Sequence, residues 1–523
     1  MSLPLIPRVR YENLVTPTEH LGVLVEPEPV AWRAQLTAGP ARDLAAVTIL
    51  GRPLEAWRRT LRERLGLNSP VVAAGHQAEF SHAGVFAKTI ALHALASATG
   101  AAGVFFTADH DLPKGERLIV PEIAAGGLRQ TEVPIPGHDA QRPIERQAAV
   151  PRGRWLDFFT RVASVYEHYD VSLLRPFADA WLAGDEAEIT FRDGARRGWT
   201  AVEQALDLTG LHHVNLSALC ATPEFRAFAA HLILHAARSA HAYNAAQTAY
   251  RVRHRVRSRN RPVPPLVTSP ERTEVPLWLV LPDGRRERLQ VVMRGDRVIL
   301  CAGVEPVAEI RRLDLADPAA LEQAWPFERD GWDVRPRALA LSALVRLLLA
   351  DFYIHGIGGA KYDEITEEWL TSLFGAPPAP IGCVTATAFL PLPRTGVRWA
   401  DVLAARHAAR DLIFNPQRHL PDVPAGLLRR RSESVRRSDE LRAARSRNRQ
   451  ERRLMFEAIR LVSAEILSTD PWRAAELEQN VRTLEQRYNL DRIAFDREYF
   501  AALHLRSTLR DLVQRVRTAL ELG

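Results

Sequence analysis

Lysine and cysteine are both scarce in this 523-residue chain. Its three cysteines, Cys220, Cys301 and Cys383, stand far apart in no metal-like spacing. That excludes a disulfide scaffold and a cysteine-rich zinc module, and it fits a reducing compartment. Of 69 basic residues only three are lysines, Lys88, Lys114 and Lys361. A lysine kept in so Arg-biased a chain marks a place that needs a compact ammonium rather than a planar guanidinium. Long apolar runs are also missing. The longest, 338–350, is interrupted by Arg346 and is too short to cross a bilayer. The opening Met-Ser-Leu-Pro-Leu-Ile-Pro-Arg has no signal-peptide apolar stretch. The expectation is a soluble cytoplasmic protein without membrane contact. No Gly-x-Ser-x-Gly occurs and no Cys neighbours a His, so no nucleophilic triad is legible, and His76, His82 and His110 fall in no His-x-x-x-His or His-Glu-x-x-His spacing.

What is present is ordinary globular material: 46% hydrophobic and 25% charged residues, in a length that normally holds two or more domains. The formal charge of +7 is local. Between Arg429 and Arg453 there are 11 Arg against four acids, so 11 − 4 = +7 and the remainder sums to zero. The commonest meaning of such a stripe is a solvated helix face. A phosphate contact surface and a partner-helix interface are the others. It contains no aromatic residue on which bases could stack, so nucleic acid is not an expected partner.

The pattern predicts an α/β protein. A Pro-rich segment of about 35 residues reads as an extended arm, followed by a helix over 54–65. An apolar strand over 69–74 runs into Gly75-His76-Gln77, a helix over 84–99 follows and stops at Gly100, and a second strand over 102–107 ends in Asp109-His110-Asp111. Strand, helix, strand of these lengths is a βαβ unit with parallel strands. Both polar clusters then lie at carboxyl ends on one sheet edge and face one crevice. A further strand is expected at 212–217, a long helix over 223–251, β-hairpins over 275–302, a helix over 336–349, and a strand at 351–354. This last strand empties into a glycine-rich loop, Gly356-Ile357-Gly358-Gly359-Ala360-Lys361. After Pro393 helix dominates. Met455, Ile459, Val462 and Ile466, then Leu477, Val481, Leu484 and Tyr488, repeat at 4-3-4 spacing, the seams of two antiparallel coiled-coil helices. The domain boundaries read from these shifts are 1–250 for the core with its arm, 251–335 for a hairpin-containing connecting region, 336–395 for a return to the core, and 396–523 for a helical coiled coil.

Three clusters carry chemistry. Gly75-His76-Gln77 joins a glycine that permits close backbone approach, an imidazole that moves protons near neutral pH, and an amide that reads a polar ligand. Asp109-His110-Asp111 can orient an imidazole, bind a metal or grip an ammonium; its bland alternative is a solvated acidic turn. With His82 these residues supply enough N and O ligands for a divalent ion, though in no recognised spacing. The glycine loop, with Lys361, can cradle an anion through backbone N–H groups, or be a simple tight turn. Lys88 and Lys114 flank the same expected crevice.

In this order the motifs resemble the bacillithiol-biosynthesis family of cysteine-adding enzymes, the cysteine ligases. The resemblance rests on Gly-His-Gln after a first strand, the Lys88 helix, Asp-His-Asp after a second, and Val214-Asn215-Leu216-Ser217 before a long helix. It continues through Val334-Arg335-Pro336, Gly358-Gly359 and the C-terminal seams. It implies a Rossmann-like parallel-sheet core of the nucleotidyltransferase and class I synthetase type, and a homodimer formed through the coiled coil. It also implies addition of cysteine to the amine of glucosaminyl-malate, with ATP or ADP as the expected nucleotide; no metal is expected, because the His and Asp residues fall in no recognised ligand spacing. Two departures bear on the acceptor: Leu112-Pro113-Lys114-Gly115-Glu116-Arg117 follows Asp-His-Asp where the family carries an acidic stretch, and Ala360-Lys361 follows the paired glycines where it carries Pro-Gly-Glu. On this reading His76, Asp109, His110 and Asp111 are the catalytic candidates. Gly75, Gln77, Lys88, Lys114, Gly358, Gly359 and Lys361 are the substrate and anion contacts. A metal-dependent hydrolase using the His/Asp cluster, and a non-enzymatic coiled-coil scaffold or nucleic-acid protein, are the alternatives.

Overall fold

A computed structural model describes residues 9–37, 46–124, 127–258, 263–327, 331–444 and 448–522. Residues 1–8 of the expected arm, and Arg445 and Arg447 of the stripe, lie outside the described residues. The chain divides into two compact units, one of residues 1–122, 131–390 and 497–523 and one of residues 123–130 and 391–496.

The first unit is mixed α/β around a six-stranded sheet: β1 (Gly22–Glu26), β2 (Val71–Gln77), β3 (Ala102–Ala108), β4 (His212–Asn215), β5 (Phe352–His355) and β6 (Ile381–Thr387). Val71, Val72, Ala73 and Ala74 of β2 are all fully buried, because a parallel strand is covered on both faces. Each such valine contributes about 1.5–3 kcal/mol relative to exposure. The strand is followed by helix α1 (Ala83–Thr99), whose alanines allow close packing and which stops at Gly100 in the left-handed conformation, φ 68°. β2 and β3 then pair in parallel over seven residues, as the βαβ reading requires.

Across the sheet the order is β1-β6-β5-β2-β3-β4, with β1 antiparallel to β6 and all other neighbours parallel. The chain steps from β2 to β3 to β4 in one direction, then returns to the far side of β2 for β5 and β6. That reversal makes the β2/β5 boundary a topological switch point, with a crevice outside the strands' carboxyl ends. Asp351 fixes this pairing. Its carboxylate accepts the Val71 N–H at 2.8 Å and holds Arg58 and Arg62, both at 2.7 Å, at the opposite end of the two strands.

Several expectations need correction. The N-terminal arm is not simply extended: it supplies edge strand β1 and a helix, Pro29–Thr37. The long helix from 223 breaks at His235 into α2 (Pro223–Leu234) and α3 (Ala236–Arg253). The hairpin region is larger than expected, a five-stranded antiparallel sheet that includes Val334–Pro336 and clusters with this unit's core. After helix α4 (Ala338–Leu348) and β5, the glycine segment is not a loop. Helix α5 (Ile357–Phe374) begins at once, so Gly358, Gly359 and Lys361 form its first turns.

The second unit is helical: α6 (Trp399–Phe414), α7 (Ala425–Ala443), α8 (Arg449–Leu467) and α9 (Pro471–Ala494). It closes at Asp496 rather than at 523, since the chain from Arg497 returns to the first unit and helix α10 (Arg506–Ala519) packs on α1. The eight seam residues are all buried or half-buried. Their main partners differ from the expected ones, because α8 packs chiefly on α7 and α9 on α6. Val462 and Ile466 share a cluster with Leu412 and Leu420, and Tyr488 meets Trp399 at 5.2 Å. A heptad spacing identifies an apolar face without naming what covers it. Several stripe arginines are engaged in ion pairs, Arg430 with Glu465 at 2.7 Å, Arg437 with Glu451 at 2.8 Å and Arg453 with Glu457 at 2.8 Å. No helix among the described residues is long and apolar enough to cross a membrane.

Candidate active site

A cavity of about 620 Å³ lies at the carboxyl ends of the parallel strands. Gly75, His76, Gln77, Lys88, His110, Asp111, Lys114, Gly358 and Gly359 all line it. Asp109 and Lys361 do not. Asp109 is fully buried and accepts the Ser217 N–H at 2.9 Å and hydroxyl at 2.5 Å, with Arg192 at 3.4 Å. It pins the start of the helix after β4 and is not placed to meet a ligand. Lys361 sits over the Tyr11 ring, 5.2 Å from its centroid. Its position in the helical turn, rather than in a loop, is what carries it away.

The β2 end is a connected polar chain. A side chain at Gly75 would meet the Phe106 carbonyl at 2.9 Å, so this glycine serves the approach of β3 to β2. His76 Nε2 meets Glu79 at 2.5 Å, and the Lys88 ammonium reaches the Gly75 carbonyl at 2.6 Å and His76 Nδ1 at 3.3 Å. Glu79 is held below the usual carboxylate range because the bond from His76 and the charges of His76 and Lys114 overcome burial. Burial, then the Lys88 charge, brings the His76 imidazole down to about 4, so it is neutral at pH 7. Burial, with help from Lys114, lowers Lys88 to about 7 against the pull of Glu79.

The β3 end is held from the antiparallel sheet. Arg286 donates to the His110 carbonyl at 3.2 Å and pairs with Asp111 at 2.8 Å, and Gln77 donates to the same carboxylate. His110 and Arg286 keep Asp111 ionised, below its ordinary range, although burial opposes them. His110 is 3% exposed, its Nδ1 has no partner among the described residues, and burial lowers it to about 4.

Across the switch point stands a group that sequence reasoning missed. His355, the last residue of β5, lines the cavity and meets Asp363 at 3.0 Å. Asp363 is fully buried, accepts Ser342 at 2.6 Å and Arg346 at 2.7 Å, and stays far below the ordinary carboxylate value because Arg346 and His355 outweigh its desolvation. Nδ1 of the same imidazole presses on Gly359, where an added Cβ would lie 3.1 Å or less from three ring atoms. The ring thus braces the first turn of α5, whose N-terminus has no side-chain cap and presents Gly358 and Gly359 to the cavity. His355 was legible by the rule that singled out His76, a polar residue ending a parallel strand; Asp363, eight residues on in a helix, carried no local signal. Trp278, Arg337 and Tyr243 complete the far wall, with Arg337 stacked 5.0 Å over Trp278 and paired with buried Glu274.

Asp109 faces away, and no group of three or more His, Cys, Asp or Glu among the described residues is arranged to hold a metal ion. The arrangement offers neutral imidazoles, one buried amine, ionised carboxylates and a bare helix N-terminus around one space. That set suits an anionic ligand beside a group that must lose a proton. Neither the family models nor the curated proteins contain a match to this chain.

Proposed function

We propose that the protein is an amide-forming ligase that joins the carboxyl group of cysteine, or a similar amino acid, to the amine of an amino-sugar such as glucosaminyl-malate. Its core is read as Rossmann-like, of the nucleotidyltransferase and class I synthetase type, and its assembly as a homodimer through the C-terminal helices. The observation that carries the reading is the convergence of the three sequence clusters on one cavity at the sheet's switch point.

The roles follow from charge and position. The first turn of α5, with Gly358 and Gly359, would hold the phosphates of ATP, and Lys114 at the half-open rim adds a cation. When bound, the nucleotide supplies activation of the carboxyl group. Asp111, ionised and fixed by Arg286, suits an amino-acid ammonium or the acceptor amine. His110 offers an unpartnered ring nitrogen for a hydrogen bond to a polar substrate group. His355, oriented by Asp363, keeps the anion-binding turn in shape.

A thermal-shift screen with cysteine, ATP, ADP, glucosaminyl-malate and divalent metals tests this directly. Ligand at 100 times its Kd adds about 2.7 kcal/mol. A shift with a thiol, nucleotide or amino-sugar ligand that is lost in Asp111→Ala supports the reading. No shift with any of them removes it, and a shift with metal alone favours the hydrolase.

A further inference from the structure

Lys88 has no carboxylate within ion-pair distance among the described residues, although it is 5% exposed and lines the cavity. Its two contacts are both acceptors, the Gly75 carbonyl and His76 Nδ1. Because Glu79 is ionised and takes the Nε2 proton of His76, the ring's Nδ1 carries a lone pair and must receive a proton from Lys88. A neutral amine has two N–H donors. Both are used here, and the nitrogen lone pair is left over.

We infer that Lys88 is a catalytic general base, which takes the proton of an incoming primary amine and passes it through His76 to Glu79. This rests on the ligase reading and gives its acceptor class as a primary amine. In the step, the acceptor nitrogen bonds to the activated acyl carbon and the bond from that carbon to the phosphate-bearing leaving group breaks. The acceptor's N–H proton goes to the Lys88 nitrogen. From the resulting ammonium a proton crosses to His76 Nδ1 while the Nε2 proton moves to Glu79, whose other oxygen lies 3.6 Å from the exposed Lys114 ammonium at the rim. The surroundings keep Lys88 poised. Burial and Lys114 favour the neutral amine, while Glu79 and the Cys383 thiol, were it ionised, favour the ammonium; burial keeps both Cys383 protonated and His82 neutral. The sequence-based assignment of Lys88 to anion binding is replaced, because its donors are already occupied.

The test uses the lysine scarcity. Competitive acetylation of the full chain with acetic anhydride across pH 5–11, read by mass spectrometry, yields one peptide for each of three lysines. Half-maximal reactivity of Lys88 near pH 7, moving upward in Lys114→Gln and downward in Glu79→Gln, is the expected result. A midpoint near the ordinary lysine value of about 10.4 overturns the proposal. Product formation from cysteine, glucosaminyl-malate and ATP supplies the second arm. Lys88→Arg, always charged, should lose at least 100-fold in kcat with little change in KM, and retention of wild-type kcat would overturn the proposal. Should the wild type make no amide while Lys88 titrates near 7, the ligase reading fails and the general-base step falls with it. Should it make amide while Lys88 titrates near 10.4, only the general base fails.

Discussion

The brace behind the α5 turn makes a strong claim on stability. Asp363 and Arg346 are both fully buried, joined at 2.7 Å, and Asp363 also takes bonds from Ser342 at 2.6 Å and His355 at 3.0 Å. Asp363→Asn keeps the shape and removes the charge. Arg346 would retain the Ala379 carbonyl at 2.6 Å and a long contact to Glu367 at 3.4 Å, too little to balance a guanidinium out of water. The new amide NH₂ would also face a side that only donors now approach. Removing one member of such a pair costs about 3–5 kcal/mol, and we expect that loss in urea unfolding at pH 7 followed by the fluorescence of Trp369, fully buried on the same helix. Replacing both partners with apolar residues, Asp363→Leu with Arg346→Met, should recover most of it. The pH dependence has a definite sign. Asp363 is depressed in the fold, so its contribution is complete above its unfolded value of about 3.9 and is lost as pH falls below that. The wild type should therefore lose its margin over Asp363→Asn only in acid. A difference under about 1 kcal/mol at pH 7, or one that persists unchanged well below pH 3, would refute the reasoning.

Other consequences can be checked independently. Gly359→Ala should cost about 1–3 kcal/mol and abolish any nucleotide-induced thermal shift, because the Cβ displaces an imidazole that Asp363 holds in place. Lys88→Met should be more stable than wild type near pH 6, on the order of 1–4 kcal/mol, since an unpaired buried ammonium is removed. Lys88 is depressed in the fold, so the unfolded chain binds more protons between about pH 7 and 10; the gap in unfolding free energy should close across that window. Asp109→Asn should lower the unfolding midpoint while leaving ligand affinity within about threefold, whereas Asp111→Asn should weaken ligand binding at least tenfold with little effect on stability, as calorimetric titration would show.

Much of the core was legible because parallel strands buried on both faces read as short apolar runs, and polar residues at their ends stand out. Gly75-His76-Gln77 and His110-Asp111 were found in this way, and the cavity gathers them. Asp109 could not be separated from Asp111 by sequence, because the difference lies in Ser217, which is 108 residues away in the chain. The glycines after β5 read as a loop since glycine disfavours helix, yet the strand exit and the His355 brace let α5 start at Ile357. Lys361 moved out of the site with that change. The seams of α8 and α9 were visible, and their partners were not, because spacing reports which face is apolar and the connecting segments decide what it meets. The strand order, set by where β5 returns beside β2, depends on contacts such as Asp351 to Val71, 280 residues apart.

The central claim is that this cavity forms an amide. Incubating the protein with cysteine, glucosaminyl-malate and ATP, and following the mixture by mass spectrometry, measures it most directly. The account predicts a product equal in mass to both substrates less one water, formed by the wild type and at least 100-fold more slowly by Lys88→Arg. Nucleotide turnover without such a product, or a product that forms equally well when Lys88, Asp111 and Gly359 are each replaced, would contradict it.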